Sequence, residues 1–105
     1  MSDKPLPNLK PIMYANRVHE LQTILYSCGY ALALHGSMQR DLDAIAVPWD
    51  ECPVSAEFLV EHVCKRMGLT VGPNSPSEKP HGRRVWTLLV LDIGFIDLSV
   101  LPTKF

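Results

Sequence analysis

The stretch Leu34-His-Gly-Ser-Met-Gln-Arg-Asp-Leu-Asp-Ala-Ile-Ala-Val-Pro48 decides how this chain is read. Asp41 and Asp43 are two apart at the start of an apolar run, so on a strand both carboxylates point to one face. Ile45 and Val47 continue that face, which leaves two acids at the polar end of an apolar row. Like charges held this close repel unless a cation lies between them. Oxygen ligands at this spacing suit Mg²⁺ (or Mn²⁺), which binds through one or two carboxylates together with substrate phosphates. Before them, Gly36-Ser37 ends the apolar run Tyr30-Ala-Leu-Ala-Leu-His35 in a tight turn. A backbone N–H and a small hydroxyl there can approach a phosphate with no side chain in the way. Pro48 closes the second strand, because proline cannot donate to a central ladder.

Working outward, a third acid lies in Phe95-Ile-Asp-Leu-Ser-Val100. Ile96, Leu98 and Val100 take one face of that strand, and Phe95, Asp97 and Ser99 take the other. An aspartate in so apolar a strand is costly without a partner. Beside the Asp41/Asp43 strand it brings three carboxylates to one place, as two-metal phosphoryl or nucleotidyl transfer requires. A hydrogen bond to a neighbouring side chain or loop N–H satisfies Asp97 equally well, and Asp41 and Asp43 read alone are a solvated strand entrance. Residues 85–91 form the preceding strand, joined to 95–100 by a hairpin at Asp92-Ile-Gly94.

Two helices complete the order. In residues 15–27 the positions Val18, Leu21, Ile24, Leu25 and Cys28 share a face, with Asn16 placed to cap it and Gly29 beyond its end. Ser55 caps a second helix whose stripe is Phe58, Leu59, Val63 and Met67, and Gly68 ends it. Residues 72–84 carry turn formers without periodicity and read as a long surface loop. Its end bears Lys79, His81, Arg83 and Arg84, either a solvated loop or a basic rim for a triphosphate or nucleic-acid backbone. Arg84, nearest the strand, is the best single candidate; Arg40 beside Asp41 is next, or it neutralises the acids locally. His35 reads as a packed, hydrogen-bonded histidine, and Trp49 and Trp86 as core or rim aromatics. The order helix, strand, strand, helix, strand, strand predicts an α+β fold: a mixed sheet of three to four strands with two helices on one face.

Composition fixes the class. The 105 residues suffice for one two-layer core, so residues 1–105 read as a single minimal domain with residues 1–13 an irregular lead-in. Ten basic and eleven acidic residues give a net charge of -1, which argues against a protein held to nucleic acid by charge alone. No apolar run approaches the roughly 20 residues that cross a bilayer, so no membrane partner is expected. The N-terminus lacks the apolar stretch of a secretory signal. Three scattered cysteines without a Cys-x-x-Cys pair make neither a disulfide scaffold nor a zinc site, and the expected compartment is the cytoplasm.

Gly-Ser, then Asp-x-Asp, then a lone Asp on a later strand resembles the signature of the DNA polymerase β-like nucleotidyltransferase superfamily. The similarity runs over residues 15–100. Segments such as Lys79-Pro-His-Gly-Arg-Arg84 and Ile96-Asp-Leu-Ser-Val100 are also similar to short proteins of bacteriophages and prophages, which would place the chain in a host cytoplasm. The resemblance implies transfer of a nucleoside monophosphate from a nucleoside triphosphate to an acceptor hydroxyl. Gly36 and Ser37 would hold the triphosphate, Asp41 and Asp43 would bind metal, and Asp97 would be the third carboxylate, helping to activate the acceptor. Arg40, Lys79 and Arg84 would complete the nucleotide-binding set. The chain departs from the pattern in two ways. Only Met38-Gln-Arg40 separates Ser37 from Asp41, fewer residues than the superfamily usually has, and the sequence ends soon after the third acid. Those departures imply the alternative: an inactive nucleotide-binding or accessory protein acting through a protein partner or as a homodimer. Nucleic acid stays open as the acceptor.

Overall fold

The computed structural model describes residues 8–91 and 93–103. Helix α1 spans Lys10–Ser27 and α2 spans Ala56–Met67. Among the described residues six strands accompany them: β1 (Tyr30–His35), β2 (Leu42–Pro48), the two-residue β3 (Thr70–Val71) and β4 (Ser77–Glu78), then β5 (Arg84–Val90) and β6 (Gly94–Val100). They form one mixed sheet in the order β1-β2-β6-β5-β3, with β4 also on β5. The β2–β6 pair is parallel, and the other pairs are antiparallel. The fold is therefore α+β, as expected, with six strands among the described residues in place of the three to four expected. The additions come from residues around the 72–84 loop, which is partly stitched to the sheet. Gly72 N–H donates to the Thr87 carbonyl at 2.7 Å, and Thr87 N–H donates to Ser75 Oγ at 3.0 Å.

Strand alternation splits the sheet into two unlike faces. Leu42, Ala44 and Ala46 of β2, Ile96, Leu98 and Val100 of β6, and Trp86, Leu88 and Val90 of β5 are all buried. They share one core with Leu21, Ile24 and Leu25 of α1 and Leu59, Val60 and Val63 of α2, so both helices cover this face. The alternate residues of the same strands look out from the other face, which no helix covers among the described residues.

Helix α2 follows its local signals. Ser55 Oγ accepts from Phe58 N–H at 3.1 Å, and Gly68 closes the helix in the left-handed region at φ 69°. Phe58, however, is not in the buried stripe: it is 53% exposed and stacks on His62. Val60 takes its place in the core. Helix α1 starts at Lys10, within the expected lead-in and five residues before the expected start at residue 15. Pro11 sits in the first turn, where its missing N–H costs nothing and its fixed φ favours the helix. Asn8 Oδ1 accepts from Lys10 N–H at 3.0 Å, doing the work expected of Asn16. Residues 1–7 of the lead-in, and Asp92 of the expected hairpin, lie outside the described residues. Among the described residues no helix is long and apolar enough to cross a membrane.

Candidate active site on the open sheet face

The parallel β2–β6 register makes Asp43 and Asp97 direct neighbours across the central strands. Adjacent strands lie about 4.8 Å apart, so the two carboxylates rise side by side from one face. The row extends both ways, with His35 opposite Asp43 on β1 and Thr87 opposite Asp97 on β5. The order His35–Asp43–Asp97–Thr87 crosses four strands. His35 thus departs from expectation: it is exposed at the end of this row, not packed.

Thr87 Oγ1 donates to Asp97 Oδ1 at 3.0 Å. Burial raises the Asp97 pKa above the ordinary carboxylate range; the Thr87 hydroxyl opposes that shift, and the charges of Asp41 and Asp43 add to it. A raised pKa makes Asp97 the better proton acceptor, since its neutral form is less disfavoured.

The turn over residues 36–41 stands beside this row. Gly36 has φ +78°, a conformation that favours glycine, and a Cβ there would meet Asp43 Oδ2 at 2.7 Å, so a side chain at this position would have to push that carboxylate aside. The turn is gripped from behind by α1. The Tyr14 hydroxyl, fully buried with its residue, donates to the Arg40 carbonyl at 2.8 Å and accepts from Phe95 N–H at 3.1 Å. One phenol therefore ties the turn to the start of β6. Burial raises the Tyr14 pKa, and the charges of Asp41 and Asp97 add to the shift. Asn8 Nδ2 adds a bond to the Gln39 carbonyl at 3.1 Å. Gly36, Ser37, Arg40, Asp41 and Asp43 line a hollow of about 520 Å³. Asp43 also lines a second hollow, of about 300 Å³, with Asp97, Thr87, Lys79 and Arg83.

The predicted residues divide accordingly. Gly36, Ser37, Arg40, Asp41 and Asp43 share the first hollow; Asp43, Asp97 and Lys79 share the second. Arg84 belongs to neither. It pairs with Trp86 and Leu88 in strand parity, lies on the helix side, donates to Glu57 of α2 at 2.6 Å and sits 5.0 Å above the Trp86 ring. The Glu57 carboxylate is held below its ordinary range by that bond. Arg83, one residue earlier, takes the open face. The sequence carried a signal for this, because the parity of Trp86, Leu88 and Val90 assigns Arg84 to the core side. Tyr14 carried none, since the partners it clamps are distant in sequence.

As a metal centre the site is partial. The donors are carboxylates with a nearby hydroxyl, a hard oxygen set that fits Mg²⁺ or Mn²⁺. Asp43 and Asp97 stand as a ready pair. Among the described residues, however, no group of three or more His, Cys, Asp or Glu side chains is gathered closely enough to hold a metal ion, so Asp41 does not complete a formed trio. Nor does Arg40 neutralise the acids: among the described residues the ion pair is Arg84–Glu57. No protein-family model, no curated protein and no solved structure matches the chain.

Proposed function

We propose that this chain is a metal-dependent nucleotidyltransferase that moves a nucleoside monophosphate from a nucleoside triphosphate to an acceptor hydroxyl. The observation that carries the reading is the in-register Asp43–Asp97 pair on parallel neighbouring strands, with the Gly36 turn pressed against the Asp43 carboxylate. Asp41, Asp43 and Asp97 would hold Mg²⁺, which when bound neutralises charge on the phosphates. The Gly36 and Ser37 turn and Arg40 receive the phosphate tail in their hollow. The acceptor oxygen bonds to the α-phosphorus while the bond from that phosphorus to the α,β-bridging oxygen breaks. Pyrophosphate leaves with the electron pair, and the acceptor's proton passes to Asp97, the carboxylate beside the Thr87 hydroxyl.

One observation favours a second reading. Because the three acids are not gathered into one cluster among the described residues, a nucleotide-binding accessory protein acting through a protein partner keeps the same hollows without turnover. Thermal melts of wild type and Asp43→Asn, each with and without Mn²⁺, test the metal site. Wild type should gain about 2.7 kcal/mol at a hundredfold excess over the dissociation constant, and Asp43→Asn should gain nothing. A wild type indifferent to Mn²⁺, with Asp43→Asn destabilised in its absence, would end the metal reading. Pyrophosphate release from each nucleoside triphosphate then separates enzyme from binding protein.

A further inference from the structure

The two hollows meet at Asp43, and the reaction just proposed uses only the first of them for phosphate. The second holds two cations that reaction leaves idle. Residues 79–83 form a short loop closed at its base, where Lys79 N–H donates to the Arg83 carbonyl at 2.8 Å. His81 and Gly82 reverse the chain at φ 67° and 77°. Lys79 and Arg83 both line the hollow that contains Asp97. Arg83 is also held in place: its Nη1 donates at 2.9 Å to Oγ of Ser99, a residue only 3% exposed. A neutral hydroxyl orients a guanidinium without cancelling its charge. Among the described residues neither cation has an ion-pair partner, whereas Arg84 next door does.

Two cations beside an acid pair, one of them held by Ser99 and neither paired with an acid among the described residues, fit an anion that arrives with a ligand. The phosphates of the donor already have the hollow across Asp43. Resting on the reading of the site as a nucleotidyltransferase, we propose that Lys79 and Arg83 bind a phosphate on the acceptor, which is a phosphate-bearing alcohol rather than an uncharged one. Ser99 lies two residues along β6 from Asp97, a separation of about 6–7 Å. A phosphate at Arg83 therefore leaves the hydroxyl of the same molecule within reach of Asp97. The guanidinium supplies the planar fork that phosphate oxygens match, and Lys79 supplies a mobile second charge.

The test is an NMR titration of the full chain with inorganic phosphate, adenosine 5′-monophosphate and hexathymidylate. It follows the Arg83 side-chain N–H and the Ser99 and Thr87 amides against those of Gly36 and Ser37. All three probes should move the Arg83 group, and Arg83→Gln or the exposed Lys79→Gln should each weaken binding about tenfold. Arg84→Gln should leave it unchanged. A stronger response to hexathymidylate assigns the phosphate to a nucleic-acid backbone, and a stronger response to the mononucleotide assigns it to a small acceptor; either upholds the subsite. Shifts confined to Gly36 and Ser37, or affinities unmoved in both Arg83→Gln and Lys79→Gln, overturn it. Mn²⁺ binding, read separately by water-proton relaxation, reports the acid pair. Mn²⁺ bound without phosphate at Arg83 sinks this inference alone, and phosphate bound at Arg83 without Mn²⁺ sinks the catalytic reading while sparing the anion site.

Discussion

Residues one apart in β2, β5 and β6 serve opposite ends. On the helix side they are Leu42, Ala44, Ala46, Ile96 and Leu98, all fully buried and held by dispersion and by exclusion of water. On the open side the same strands carry Asp43, Asp97 and Thr87, half-buried, where the Thr87 hydroxyl bonds Asp97 and like charge sets the two acids against each other. The covered face should therefore respond strongly to lost volume and weakly to pH or cations. The open face should respond in the reverse sense. Leu98→Ala, at the centre of the covered face, is expected to cost about 2–5 kcal/mol. Urea melts should show that cost while the increment gained from Mn²⁺ stays as in wild type. Loss of the increment would mean that packing under β6 also sets the acid pair.

Tyr14 joins the two sides, because its ring lies in the core while its hydroxyl holds the backbone that frames the open face. Tyr14→Phe keeps nearly all the buried area and strands the Arg40 carbonyl and the Phe95 amide. The expected cost is about 1–3 kcal/mol, from unpaired polar groups rather than from a cavity. Hydrogen exchange should localise the loosening to residues 36–41 and the start of β6. A uniform loss of protection across the helices would assign Tyr14 to packing alone.

Periodicity made the covered face legible. Alternating apolar residues mark the four long strands, and the same alternation sets Asp97 opposite Leu98 in facing. What it cannot give is pairing across long separations. That β2 and β6 are parallel neighbours, which makes Asp43 and Asp97 a pair, follows from the whole topology and not from either strand. Where the structure departs from the local sequence pattern, another local signal outweighs it. Pro11 falls within the residues 1–13 expected to be irregular, yet a first-turn proline starts a helix, and Arg84 lies nearest the strand while its parity points to the core side.

Gly36 gives a smaller effect that separates geometry from stability. Alanine at φ +78° costs about 1–2 kcal/mol for an L-residue in the left-handed region. Its methyl would also displace the Asp43 carboxylate, 2.7 Å from the ideal Cβ position. Isothermal titration should therefore find Mn²⁺ binding weakened by more than the melts lose in stability. Equal losses in both would leave Gly36 as a turn residue with no part in the site.

The smallest effect is the most diagnostic for the open face. Asp97→Asn keeps an oxygen acceptor for the Thr87 hydroxyl, so the change is almost wholly one of charge. The wild-type carboxyl titrates above its ordinary range because of burial and of Asp41 and Asp43. In the window between the ordinary and the raised value, the folded state holds a proton that the unfolded state has released. Stability from this group is then present at low pH and is lost as pH rises through that window. Asp97→Asn has no such proton, so the wild type should lose ground to it as pH rises from the acid range and keep a constant difference above the window. Saturating Mn²⁺ should flatten or reverse the wild-type slope, since a bound cation favours the charged carboxylate. Paired melts across the acid to neutral range read both outcomes. A wild type that gains on Asp97→Asn with rising pH in the absence of metal would mean that Lys79 and Arg83, rather than burial, govern the carboxylate. The open face would then be a preformed ion cluster and not a site awaiting a cation.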